Sequence, residues 1–120
     1  LVYFNVEQGN IDATFENFSK NARIYDSNLV EKEYNSLEEH IKNVKNIFSI
    51  FDIVSLDEVG YPDYMDYEGD GGVAYVWMQF ILKHKKTKKI IKLPVHSQMW
   101  FNDKGKIVRE DVYYNANILK

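Results

Sequence analysis

Residues 73–102 read VAYVWMQFILKHKKTKKIIKLPVHSQMWFN, and the reading of this stretch decides the fold. Val73 to Lys85 and Lys89 to Asn102 are long alternating runs on either side of Thr87-Lys88. Period two is the pattern of a pleated strand with one buried face. Two such runs around a short polar break form a hairpin, across a two- or four-residue loop. Downstream, Asp103-Lys104-Gly105 reads as a turn and Ile107 to Asn117 as the last strand. Upstream, Asp52 to Val59 suits a strand, and Gly60 to Gly72 is a tyrosine- and acid-rich connection.

The first half reads differently. Leu1 to Gln8 looks like the end of a helix stopped by Gly9. Asp12 can cap a short helix carrying Phe15 and Phe18 on one face, and Ala22 to Asp26 is a brief strand. Ser36-Leu37-Glu38-Glu39 fits a capping box. Behind it Leu37, Ile41, Val44, Ile47, Phe48 and Phe51 recur at helical spacing and form one apolar stripe. Helices first and an antiparallel meander after them predict an α+β fold, one sheet wrapped over a few helices.

A chain of 120 residues and 14.2 kDa predicts one domain over residues 1–120. A hydrophobic fraction of 45% with 15% aromatics supplies a full core and excludes a disordered chain. The absence of cysteine removes disulfides, thiolate zinc sites and cysteine nucleophiles. A net charge of −3 and a pI near 5.6 give no field that attracts nucleic acid. No apolar run reaches the roughly 18–20 residues of a membrane span. The sequence opens at Leu1 with no methionine, and a removed segment or a trimmed N-terminus is the expectation. A soluble protein is expected, in the cytoplasm or exported after signal-peptide removal.

Met99-Trp-Phe-Asn-Asp-Lys-Gly-Lys-Ile-Val108, followed by Val112-Tyr-Tyr-Asn115, resembles the last two strands of a cone-shaped family. That family includes nuclear transport factor 2, the ketosteroid isomerases and SnoaL-like polyketide cyclases. Gly9-Asn-Ile-Asp12 through Asn21-Ala-Arg-Ile-Tyr-Asp26 is similar to the family's N-terminal stretch. The resemblance covers nearly the whole chain, with much of the first helix missing. It implies a curved antiparallel sheet wrapped around helices, a cone with an internal apolar pocket that takes a small apolar molecule. This fold hosts many unrelated activities, so function has to be argued from the site.

The resemblance turns Phe101 inward, and period two then places Met99, Ser97 and Val95 on the same face. Pairing across the hairpin adds Leu82, Phe80, Met78, Val76 and Ala74. Pro94, which lacks an amide donor, marks a candidate bulge that would flip residues 90–93. Asp26 falls where the ketosteroid isomerases place their general base, and a carboxylate at an apolar pocket suits proton shuttling. Its plain alternative is a turn aspartate beside Ser27-Asn28. Of the isomerases' oxyanion pair, a tyrosine and a protonated aspartic acid, the first position aligns with Val2, beside Tyr3, and the second with Ser97. The pair is therefore broken. Alternation along the last strand, in the inward phase that the resemblance implies, places Val108, Glu110, Val112 and Tyr114 on the concave side, which makes Glu110 a second acid/base candidate; on the other face it would be solvated beside Arg109 and Asp111. The expected pocket is thus Asp26 and Glu110 with Val2, Tyr3, Met78, Ser97, Met99 and Tyr114.

The outward set includes Tyr75, Trp77, His96, Gln98, Trp100 and Tyr113. Aromatic residues mixed with neutral polar ones have the composition of an interface centre, so a homodimer through this face is expected. Neither metal nor cofactor is expected. His84 and His96 show no ligand spacing. Asp63, Asp66, Glu68 and Asp70 lack the alternating pattern of a calcium loop and read as a solvated acidic loop. Six lysines between Lys83 and Lys92 read as a soluble hairpin tip. If the protein is an enzyme, the resemblance implies cofactor-free isomerisation, cyclisation or dehydration. The alternative is a non-catalytic ligand-binding or protein-interaction module.

Overall fold

The computed structural model describes residues 11–59, 63–67 and 71–120, so the expected helix end at Leu1–Gln8 and the expected pocket residues Val2 and Tyr3 lie outside the described residues. The chain order is α1 (Ile11–Thr14), β1 (Phe18–Asp26), β2 (Asn35–Ser36), α2 (Leu37–Ile50), β3 (Phe51–Glu58), β4 (Asp63–Tyr67), β5 (Gly71–His84), β6 (Ile90–Phe101) and β7 (Ile107–Tyr113). A 3₁₀ turn at Ala116–Leu119 follows.

The capping box starts α2. Ser36 Oγ accepts from the Glu39 amide at 3.2 Å, and Glu39 Oε1 accepts from the Ser36 amide at 3.0 Å. The Lys32 ammonium also meets Glu39, and this hydrogen bond, with that of the Ser36 amide, holds the Glu39 carboxyl down at about 2. Leu37, Ile41, Val44, Ile47 and Phe48 turn to the core. Phe51 departs from the predicted stripe. It is extended and opens β3, while its N–H still donates to the Ile47 carbonyl and closes the helix.

The strands form one curved, unclosed mixed sheet in the order β2-β1-β7-β6-β5-β3, with β4 also beside β5. The α+β cone expected from sequence is the architecture found. One pairing differs from an all-antiparallel plan: β1 runs parallel to β7, with Ile24 opposite Glu110 and Asp26 opposite Val112. Residues 27–106 separate these two strands, so no hairpin constrains their relative direction. Register shifts at Ile53/Ser55 in the β3–β5 pair and at Trp100/Phe101 in the β6–β7 pair insert extra residues, which bend the strands.

The β5–β6 register is continuous from Val73↔Trp100 to Lys83↔Ile90, and the five residues 85–89 lie between the strands, closed by the His84 amide donating to the Lys89 carbonyl at 2.9 Å, with Lys88 at a φ of 64°. Pro94 makes no bulge. It lies opposite Gln79, and β7 pairs with β6 only from His96 onward, so on that side no ladder bond is lost. Val76, Met78, Phe80, Leu82, Leu93, Val95, Ser97 and Met99 are accordingly all buried on the concave face.

Four boundaries move. The first helix stops at Thr14, and Phe18 opens β1 instead of joining a helical face; the Phe15 and Phe18 rings still pack 5.1 Å apart. The strand foreseen over Ala22–Asp26 therefore begins four residues earlier. β4 lies inside the stretch expected to be a connection and pairs with the start of β5, so Asp63 and Asp66 belong to a strand. β7 ends at Tyr113, because Asn115 turns the chain by accepting from the Asn117 amide at 3.1 Å.

Two substitutions should separate core from cap. Leu82 is fully buried, so Leu82→Ala should cost about 2–5 kcal/mol of unfolding free energy. Ser36→Ala removes only the cap and should cost about 0.5–2 kcal/mol. Urea denaturation measures both, and a cap loss as large as the core loss would contradict this account of α2.

Candidate functional site

A cavity of about 100 Å³ lies between α2 and the concave side of the sheet. Its apolar walls come from Phe15 and Phe18, from Val44, Ile47 and Phe48 of α2, and from Phe80, Leu82, Leu93, Val95 and Val112 of the sheet. The polar groups on its walls are Thr14, Asp26, His40, Asn43, Glu110 and Tyr114. Cavities of this order hold a molecule the size of one aromatic ring.

Parallel pairing brings the two carboxylates together, because Glu110 faces Ile24 across the ladder and Asp26 is the next inward residue of β1. Asp26 sits at the strand end in an Asx turn. Its Oδ1 accepts from the Asn28 amide at 2.8 Å and from Asn28 Nδ2 at 3.0 Å. Its Oδ2 accepts from the Tyr114 hydroxyl at 3.1 Å. Asn28 Nδ2 also donates to the Tyr114 carbonyl, tying the turn to the chain beyond β7. Burial, then the Asp26 charge and the hydrogen bond to it, push the Tyr114 hydroxyl well above its ordinary pKa, so it remains a donor.

Glu110 is 3% exposed. Its Oε2 accepts from Ser97 Oγ at 2.6 Å, a length typical of a charge-assisted bond. Its Oε1 stands 3.6 Å from His40 Nε2. Burial pulls the His40 pKa below its ordinary value, against the opposing pull of Glu110 and Asp26. Desolvation prevails, so the imidazole is neutral at pH 7 and this contact is not a salt bridge there. The Phe15 ring meets the imidazole edge-on at 5.5 Å.

The expected pocket residues divide. Asp26, Glu110 and Tyr114 are on the cavity wall. Ser97 is completely buried behind Glu110 and reaches the cavity only through that hydrogen bond. Met78 and Met99 are packed in the core and are not among the wall residues. Val108, placed inward by alternation, is exposed, because the register shift at Trp100/Phe101 makes it the extra residue of β7. Scanning the histidines for metal spacing misses His40. Its signal is its place on the apolar stripe, three residues after Leu37 and four before Val44. Among the described residues no group of three or more metal-ligating side chains is assembled, and no helix is long and apolar enough to cross a membrane.

The convex face carries a stacked row. The Trp77 and His96 rings are 4.2 Å apart, and Tyr113 follows at 5.8 Å. Trp77 is 45% and Tyr113 46% exposed. Tyr75, Gln98 and Trp100 are half-buried on the same face. The Arg109 guanidinium lies over Trp100 at 4.7 Å and over Tyr25 at 4.1 Å while bonding Asp111 with two nitrogens.

No family model matches the chain, and no curated protein matches it in sequence. Solved structures match across nearly its full length. The epoxide hydrolase/cyclase-like enzyme SalBIII of pyran ring formation in the polyether salinomycin is 16% identical, with a TM-score of 0.72 over 97% of this chain and 86% of its own. A ketosteroid isomerase-like protein from Erwinia carotovora atroseptica is 8% identical, with a TM-score of 0.72 over 94% and 87%. A Mesorhizobium loti protein of SnoaL-like polyketide cyclase type is 15% identical, with a TM-score of 0.67 over 94% and 92%. The chain has the SnoaL-like, nuclear transport factor 2-like cone fold.

The buried imidazole makes stability pH-dependent in a defined direction. The unfolded chain takes up a proton at His40 near pH 6.5, while the folded chain holds its pKa lower. Stability contributed by the neutral ring is complete above that pH and falls as pH drops below it, by at most about 1.4 kcal/mol per pH unit. Urea midpoints measured from pH 7.5 to 5 should fall further for the native chain than for His40→Gln. Equal losses would contradict the assignment, as would an NMR titration of the ring with a pKa above 6.5.

Proposed function

We propose that this protein binds a small apolar organic molecule in the cavity and moves a proton on it without a cofactor, with Asp26 as the base. One observation carries the reading: a carboxylate anchored by three donors stands on the wall of a mainly apolar cavity. An ionised carboxylate has about four acceptor sites, so three donors fix its orientation and leave one site for a proton. A base held in this way loses little freedom when it meets its substrate. His40, neutral and backed by Glu110 and Ser97, is the second proton-handling group; Glu110 polarises it and takes up part of any charge it gains. Isomerisation, cyclisation and dehydration are the reaction types that such a pair serves.

A specific observation favours a second reading, a non-catalytic binding module of the same fold. The Ser97 hydroxyl is committed to Glu110 and the Tyr114 hydroxyl to Asp26, so neither is aimed at a developing oxyanion. The readings separate in deuterium oxide. Small ketones incubated with the protein should gain deuterium beside the carbonyl, followed by NMR, and Asp26→Asn should slow this by about 10²–10⁴-fold with the fold intact. Ketones that bind without exchanging favour the second reading.

The convex face is proposed to pair with a second copy. Its stacked row of Trp77, His96 and Tyr113, with Trp77 and Tyr113 exposed and Tyr75, Gln98 and Trp100 flanking it, offers aromatic surface that a two-fold axis would let cover itself. Trp77 and Tyr113 are its accessible anchors, whereas Trp100 lies under Arg109. Light scattering at micromolar concentration should give a dimer mass, and Trp77→Glu should give a monomer, since pairing would bury an unpaired charge. A monomeric native chain would rule the pairing out.

A further inference from the structure

Two carboxylates, Asp26 and Glu110, stand on the cavity wall, and no lysine or arginine does. The segments outside the described residues cannot supply one, because residues 1–10, 60–62 and 68–70 contain neither. All fifteen basic side chains of the protein therefore lie in the described part, and none is a wall residue. Histidine and tyrosine bring no balancing charge: burial keeps His40 neutral at pH 7, and the Tyr114 hydroxyl is already turned to Asp26. The remainder of the lining is mainly aliphatic and phenyl surface.

We infer that the cavity selects its ligand by charge as well as by size, taking a small apolar amine bound as its ammonium ion beside Asp26 and Glu110 and rejecting carboxylates and phosphates of the same shape. An anion entering here would be desolvated beside two carboxylates, with no cationic side chain to receive it. An ammonium ion would meet oxygen acceptors at the polar end while its hydrocarbon body fills the apolar part, and in this low-dielectric setting a charge-assisted bond is stronger than a neutral one. The inference deepens the reading of the cavity as a ligand site and rests on it.

Three ring-sized probes of one shape test it on the intact protein at neutral pH: benzylamine, benzyl alcohol and benzoate, followed by calorimetry and by NMR shifts of the cavity methyls. Benzylamine should bind at least about tenfold more tightly than the alcohol, the gain of pairing a cation, and not a neutral donor, with the same carboxylates. Benzoate should bind more weakly than either. Glu110→Gln should reduce the amine's advantage over the alcohol, and Asp26→Asn should act in the same direction if the change at Glu110 impairs folding. Benzyl alcohol binding with benzoate as tight as benzylamine overturns the charge selection alone. Failure of all three probes to bind overturns the cavity reading as well.

Discussion

The parallel contact between β1 and β7 is the constraint on which the rest of the structure depends. It joins the first strand of the chain to the last, and in doing so it sets the inward residues of both side by side. Asp26 and Glu110 become neighbours through this ladder alone, since nothing local in sequence relates them. The same contact extends past the strands: the Ser27 amide donates to the Val112 carbonyl, and Asn28 reaches the carbonyl of Tyr114. The end of β1 and the end of β7 therefore form one polar corner. A change that frees that corner should release both the Asx turn and the tyrosine that steadies Asp26.

α2 completes the arrangement by placing a titratable ring where an aliphatic side chain would pack. Burying polar groups is unfavourable unless each finds a partner. Here Ser97 donates to Glu110, Glu110 faces His40, and His40 meets the edge of Phe15. Substituting the polar members together by apolar residues of similar volume is the type of change that proteins often tolerate or gain from. Their presence in a mainly apolar core fits the proton-handling role proposed for the cavity.

Much of this is legible in the residues, for a physical reason that also marks where reading stops. Hydrophobic period reports which face of an element is buried, so the concave set from Val76 to Met99 and the helix behind Ser36 follow from alternation and helical spacing. Period does not report extra residues. Val108 reads inward because a register shift in β7 leaves no mark on the alternation. β4 reads as a connection because its acids and tyrosines carry no aliphatic residue, and only its partner β5 makes it a strand. Within the site, alternation puts Glu110 on the concave side, but depth is a tertiary property. Met78 and Met99 share that face and still lie away from the cavity wall, since α2 and β1 determine which part of the sheet stays open. His40 escapes notice when histidines are weighed as metal ligands and not as interruptions of an apolar stripe.

β7 shows how one strand can serve two chemically opposed surfaces. Glu110 and Val112 turn to the cavity, while Arg109, Asp111 and Tyr113 turn to the convex side. Two acids are adjacent in sequence and receive opposite treatment. Asp111 is held by both nitrogens of the Arg109 fork, which is the strongest geometry an arginine can offer a carboxylate. Glu110 is given a serine hydroxyl and a neutral imidazole. The arginine is available only outside, because it is also spread over Tyr25 and Trp100 and its length is used along that surface. The pleat therefore does more than separate apolar from polar. It keeps the cation of this strand on the aromatic face and the Glu110 carboxyl on the cavity wall.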